Sequence, residues 1–96
     1  MIVDERVKKI SDHHGYGHQS RQCIEEMAEL TQAINKVWRY RKKRKNKYKR
    51  LAHIYEEIAD VEICLDHLKY LLNCHDEVQA MRDYKLNREI KRIGKG

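Results

Sequence analysis

The chain has 96 residues, of which 38% are charged, and it contains no proline and carries a formal net charge of +6. This length predicts one domain over residues 1–96, with a core too small to cover every amphipathic helix by itself. The absence of proline and the high charged fraction predict that the domain is all-α. No apolar run approaches the roughly 20 residues that cross a bilayer, and the N-terminus lacks a signal-peptide core, which predicts a cytoplasmic protein with no membrane partner. Its three cysteines lack Cys-x-x-Cys spacing and indicate neither a disulfide framework nor a cysteine zinc site.

Hydrophobic periodicity predicts four amphipathic helices along the chain. The first is short and ends in the polar, glycine-containing stretch 11–17, and the last begins after Asp76, which is expected to be its N-cap residue. The predicted helices cover residues 2–10, about 20–40, about 48–72 and about 77–93. We therefore expect an antiparallel bundle of about four helices, completed by association into a homodimer or homotetramer.

Two pairs of carboxylates carry the strongest chemical signal. Glu26 and Glu29 lie on the second predicted helix, and Glu57 and Asp60 lie on the third. A spacing of three residues places both members of a pair on one helix face, and Glu57 falls within the apolar arc of its helix. A single pair of carboxylates at this spacing usually lies on a solvated helix face. A carboxylate on a core face, however, requires a proton or a cation. Mg²⁺, which prefers oxygen ligands, is the expected cofactor, with Mn²⁺ as an alternative.

The acidic motifs also resemble those of a known enzyme family. The sequence reads Gln-Cys-Ile-Glu-Glu-Met-Ala-Glu-Leu at 22–30, Glu-Glu-Ile-Ala-Asp-Val at 56–61 and Tyr-Lys-Leu-Asn-Arg at 84–88. This order resembles the MazG-like all-α nucleotide pyrophosphohydrolases, whose signature is Glu-Glu-x-x-Glu, a spacer, Glu-x-x-Asp and a C-terminal helix with lysine and arginine. The long, strongly basic spacer of this chain departs from the family pattern.

The resemblance implies Mg²⁺-dependent cleavage of a ribo- or deoxynucleoside triphosphate into a monophosphate and pyrophosphate. The four paired carboxylates would hold the metal, and one of them, or Glu25, would accept a proton from the attacking water. The catalytic candidates are therefore Glu25, Glu26 and Glu57. The expected substrate ligands are Lys85, Arg88 and Arg92 for the phosphates, and Gln19 and Gln22 for the base or sugar. An exposed basic helix end and ordinary surface glutamines are the alternatives for these five residues.

A basic segment separates the two acidic motifs. Residues 39–50 contain nine lysines and arginines and no acidic residue, so the rest of the chain is acidic overall. The segment is expected either to steer a triphosphate toward the metal site or to bind RNA or DNA, with Tyr40 and Tyr48 available for stacking. The alternative function is therefore a small helical nucleic-acid-binding module, and a purely structural helix-bundle partner is a third class.

Overall fold

The computed structural model describes residues 2–95, which form three helices. They are α1 (Glu5–Arg39), α2 (Lys47–Leu71) and α3 (His75–Lys95). The predicted all-α class is confirmed, since residues 2–95 contain no strand. None of the described helices combines the length and the apolar character that a membrane span requires.

The first two predicted helices are joined into one. α1 begins after Asp4, whose side chain accepts a hydrogen bond from the Arg6 amide and whose pKa is lowered to about 2 by its hydrogen bonds to Arg6. The helix then continues through residues 11–17, where the sequence predicted its end. Only Gly15 departs from helical geometry, with φ 80° and ψ 172°, and this single residue kinks α1. Two helical segments meet at Gly15, so the predicted interruption within residues 11–17 is present, but it is confined to one residue.

A pair of glycine substitutions tests the kink. Gly15 adopts backbone angles that are essentially restricted to glycine, so Gly15→Ala should lower the free energy of unfolding by about 1–3 kcal/mol. Gly17 is helical, and a Cβ added there meets no atom within 4 Å, so Gly17→Ala should raise it by about 1 kcal/mol. Urea titrations of both variants measure the two effects. A rise in the free energy of unfolding for Gly15→Ala would show that the kink is not required.

α1 and α2 pack as an antiparallel hairpin around a thin, partly polar core. At one end, the Oγ atom of Ser11 lies 2.6 Å from Nδ1 of His67, and both residues are buried. Nearby, the Tyr70 hydroxyl donates to Asp12 at 2.8 Å, and this hydrogen bond raises the pKa of Tyr70. The buried apolar residues of the described chain are small, namely Val7, Cys23, Ala33 and Cys64. A core this small leaves much apolar surface on both helices exposed.

α3 projects away from the hairpin. None of its residues is buried, it makes only slight contact with α2, and it makes none with α1. The helix begins at His75, and the Val78 amide donates to the Cys74 carbonyl at 3.0 Å, so the prediction of Asp76 as N-cap is wrong. Asp76 instead lies in the first turn, where its charge complements the helix dipole. Residues 2–95 thus form a helical hairpin with a third helix projecting from it, over 43 × 42 × 20 Å. Within these residues there are three helices and not the predicted four.

Candidate metal centre

Three carboxylates from the two hairpin helices meet at one place. α1 contributes Glu26, and α2 contributes Glu57 and Asp60. One oxygen atom from each side chain lies within 4.8 Å of those from the other two. Two oxygens on opposite sides of a Mg²⁺ ion are about 4.2 Å apart, given bonds of about 2.1 Å. A small adjustment of these side chains would therefore allow a single cation to contact all three.

In each glutamate of the cluster, one carboxylate oxygen contacts a neighbouring side chain and the other has no partner within residues 2–95. Gln22 Nε2 donates to Glu26 Oε1 at 2.7 Å, and His53 Nε2 lies 3.2 Å from Glu57 Oε1. Both supporting residues precede their glutamate by four positions, which places them one turn away on the same helix face. The Oε2 atoms of Glu26 and Glu57 are inaccessible to solvent and have no hydrogen-bond partner among the described residues. Buried polar atoms rarely lack partners, and these two oxygens could accept a proton or contact a cation.

Two thiols lie beside the carboxylates. Cys23 and Cys64 are buried, and burial raises the pKa of both. The pKa of Cys64 rises to about 11, mainly through burial and further through the nearby Cys23, Glu26 and Asp60. A buried, protonated thiol carries no charge, so the two cysteines add no negative charge beside the carboxylates. The three donors that converge are carboxylate oxygens, which suit Mg²⁺ or Mn²⁺ better than a soft metal.

The other residues predicted on the acidic helix lie around the cluster in different ways. Glu29 is exposed and outside the group of converging oxygens, so its role as a ligand stays a prediction. Glu25 is exposed and lines an open hollow together with Gln22, Arg21 and His18. Gln19 is buried, and its side-chain oxygen lies 2.8 Å from His18 Nδ1.

The basic residues predicted to bind phosphates are not brought to the cluster within one chain. Lys85, Arg88 and Arg92 are all exposed on α3, which does not contact α1. The Arg88 guanidinium lies 5.7 Å from the centre of the Tyr84 ring, and Arg92 lies 3.6 Å from Glu89. In the part of the chain that the structure describes, no ion pair joins these residues to the three carboxylates.

Comparisons with family models, curated proteins and solved structures found no match to this chain. Membership of the MazG-like family therefore stays a prediction. The hairpin brings together one carboxylate from the first acidic motif and two from the second, in an arrangement able to hold a hard divalent cation.

Proposed function

We propose that the protein is a cytoplasmic Mg²⁺-dependent pyrophosphohydrolase, which cleaves a ribo- or deoxynucleoside triphosphate into a monophosphate and pyrophosphate. The observation that carries the proposal is the unpartnered Oε2 atom of Glu57, a residue only 6% exposed, in a cluster with Glu26 and Asp60. A buried carboxylate oxygen without a hydrogen-bond partner is costly, and a bound cation would offset that cost. The resemblance of the surrounding motifs to MazG-like enzymes supplies the reaction.

The neighbouring residues fit this chemistry. A bound divalent cation would offset the charge of a triphosphate and activate water for attack on the phosphoanhydride bond. Gln22 and His53 each hold one oxygen of a glutamate, which limits rotation and leaves the other oxygen for the cation. Among the candidate bases, Glu25 lies outside the cluster and beside an open hollow, so it is the carboxylate best placed to accept a proton without giving up a ligand.

We also propose that a second copy of the chain completes the helical bundle. Both hairpin helices expose apolar stripes next to their shared interface, and α3 exposes a third stripe. The exposed apolar residues are Ile24, Met27 and Ile34 on α1, Ile58 and Leu65 on α2 with Leu72 directly after it, and Leu86, Ile90 and Ile93 on α3. The spacing of seven residues on α2 is typical of a seam between packed helices. Exposed apolar surface of this extent is characteristic of an interface.

The same association would supply the missing positive charge to the metal centre. Lys85, Arg88 and Arg92 form a ridge beside the apolar stripe of α3. When α3 of one copy packs on the hairpin of another, opposite charge favours an arrangement in which this ridge faces the carboxylate cluster. Each site would then combine carboxylates of one copy with cations of the other.

The reaction is tested by incubating the protein with a panel of ribo- and deoxynucleoside triphosphates and Mg²⁺. The expected products are a nucleoside monophosphate and pyrophosphate, identified by phosphorus NMR, with no reaction after chelation by EDTA. Mn²⁺ should restore turnover to the chelated protein. Release of orthophosphate alone, or turnover that EDTA leaves unchanged, would contradict the proposal.

A further inference from the structure

The basic segment, residues 39–50, forms a surface with no neutralising partner. All of its residues except Tyr40 and Arg50 are exposed. No acidic residue occurs within it, and its lysines and arginines make no ion pair with any part of the described chain. Close positive charges repel one another, so an uncompensated group of this size is stabilised when an external anion binds.

The turn between α1 and α2 is braced from within. Arg50 donates hydrogen bonds to the backbone carbonyls of Tyr40, Lys43 and Lys45, at 3.3, 2.7 and 2.9 Å. The guanidinium of Arg50 lies 5.5 Å from the centre of the Tyr40 ring, and the Lys43 ammonium lies 5.4 Å from it. Asn46 closes the turn with a positive φ of 64°. Arg50 and Tyr40 thus hold the turn in one shape, and the remaining cations are presented to solvent.

Exposed aromatic rings flank these cations on both sides. Trp38 is 65% exposed at the end of α1, and Tyr48 is 85% exposed at the start of α2. The Arg41 guanidinium lies 5.9 Å from the centre of the Trp38 ring. Cations interleaved with accessible aromatic rings are typical of surfaces that bind single-stranded nucleic acid, because phosphates contact the cations and bases stack on the rings.

The distance from the metal centre indicates a separate role for this surface. Between Glu26 and Arg39, α1 rises about 20 Å at roughly 1.5 Å per residue. Charges on an exposed surface are largely screened beyond about 8 Å at physiological ionic strength. The cations of the turn therefore contribute little to the field at the carboxylates, and steering of a triphosphate explains them poorly.

We propose that residues 38–50 form a binding surface for single-stranded nucleic acid, independent of the proposed hydrolysis. Lysine and arginine side chains of the turn contact the phosphates, and Tyr48 and Trp38 stack on bases. An anionic membrane is the less favoured partner, since the exposed part of the turn between Tyr40 and Tyr48 carries no apolar side chain that would enter a bilayer.

The test measures fluorescence anisotropy of labelled oligo-dT and oligo-rU of roughly 16 nucleotides, which separates DNA from RNA binding. With about five phosphate contacts, affinity should fall about a hundredfold between about 50 mM and about 200 mM KCl. The triple variant Lys42→Gln/Arg44→Gln/Lys45→Gln should reduce the slope of log affinity against log salt by about 2. Tyr48→Ala should weaken binding about tenfold and leave this slope unchanged, because it removes a stacking ring and no charge.

Three controls decide between partners. Triphosphate hydrolysis by the triple variant should match that of the wild type, because none of the three residues belongs to the proposed metal centre. Failure to bind either oligonucleotide at low salt would overturn the proposal, as would binding only to vesicles of phosphatidylserine and phosphatidylcholine. The proposal would also be overturned if the wild type and Tyr48→Ala bound oligonucleotides with equal affinity and bound heparin equally tightly. That result would show a general polyanion site.

Discussion

Glu57→Gln should lower Mg²⁺-dependent triphosphate hydrolysis by about a hundredfold or more. The substitution keeps the size of the side chain and its capacity to contact His53, but it removes the negative charge that would bind the cation. Glu57 is the most buried of the three carboxylates, so no exposed neighbour or water easily replaces it. Steady-state kinetics with saturating Mg²⁺ measure the loss, and circular dichroism checks that the helices remain.

The same substitution should stabilise the metal-free protein. Glu57 brings a buried charge close to Glu26 and Asp60, and its Oε2 atom has no compensating partner. Removing that charge relieves repulsion and desolvation, and we expect the free energy of unfolding to rise by about 1 kcal/mol or more. A variant that is more stable and inactive would separate loss of a ligand from loss of the fold.

The effect of Mg²⁺ on the melting temperature tests whether Glu57 binds the cation. A cation that binds only the folded state should raise the melting temperature of the wild type and should have little effect on Glu57→Gln. Glu62→Gln, an exposed position on the same helix, serves as the control and should keep both activity and the response to Mg²⁺. Full activity of Glu57→Gln, or equal stabilisation of all three proteins by Mg²⁺, would remove the proposed site.

Much of the local structure could be predicted from the sequence because helical periodicity is a local property. The approximate extents of α2 and α3 and of the later part of α1 follow from repeats of apolar residues. The extent of the break at 11–17 could not be predicted from the sequence. Composition does not reveal that Gly15 is the one residue of this stretch with non-helical backbone angles. The sequence also predicts the start of α3 too late, because an aspartate followed three residues later by glutamine is compatible with an N-cap position and with a place inside the first turn.

The candidate site was predictable in part for a related reason. Spacing along each helix pairs Glu26 with Glu29, and Glu57 with Asp60, but the rotation of α1 against α2 decides which of them converge. That rotation buries Glu57, turns Glu26 toward it and leaves Glu29 exposed. The contact of His53 with Glu57 is not predicted from the sequence, although its position four residues before Glu57 is the available signal. Gln22 contacts Glu26, and its role in binding substrate stays a prediction.

Charged substitutions on the exposed apolar stripe of the hairpin should prevent copies of the chain from associating. Leu65→Asp/Leu72→Asp places two charges on the exposed seam of α2, where a partner would have to desolvate them, so the double variant should be monomeric. Light scattering at micromolar concentration compares it with the wild type and with Ala52→Asp, an exposed position away from the seam. A monomeric wild type, or an unchanged mass of the double variant, would contradict the proposed bundle.

Complementation between two inactive variants tests whether the copies share their sites. If α3 contributes its cations to the site of the other copy, the Glu57→Gln chain keeps an intact α3. The Arg88→Ala chain keeps an intact carboxylate cluster. A mixed dimer then contains one complete site, built from the cluster of the Arg88→Ala chain and the α3 of the Glu57→Gln chain. Random mixing should restore about one quarter of the wild-type activity, because about half of the dimers are mixed and each has one working site. If α3 served only its own chain, the mixture would gain nothing, because each chain would keep its own defect.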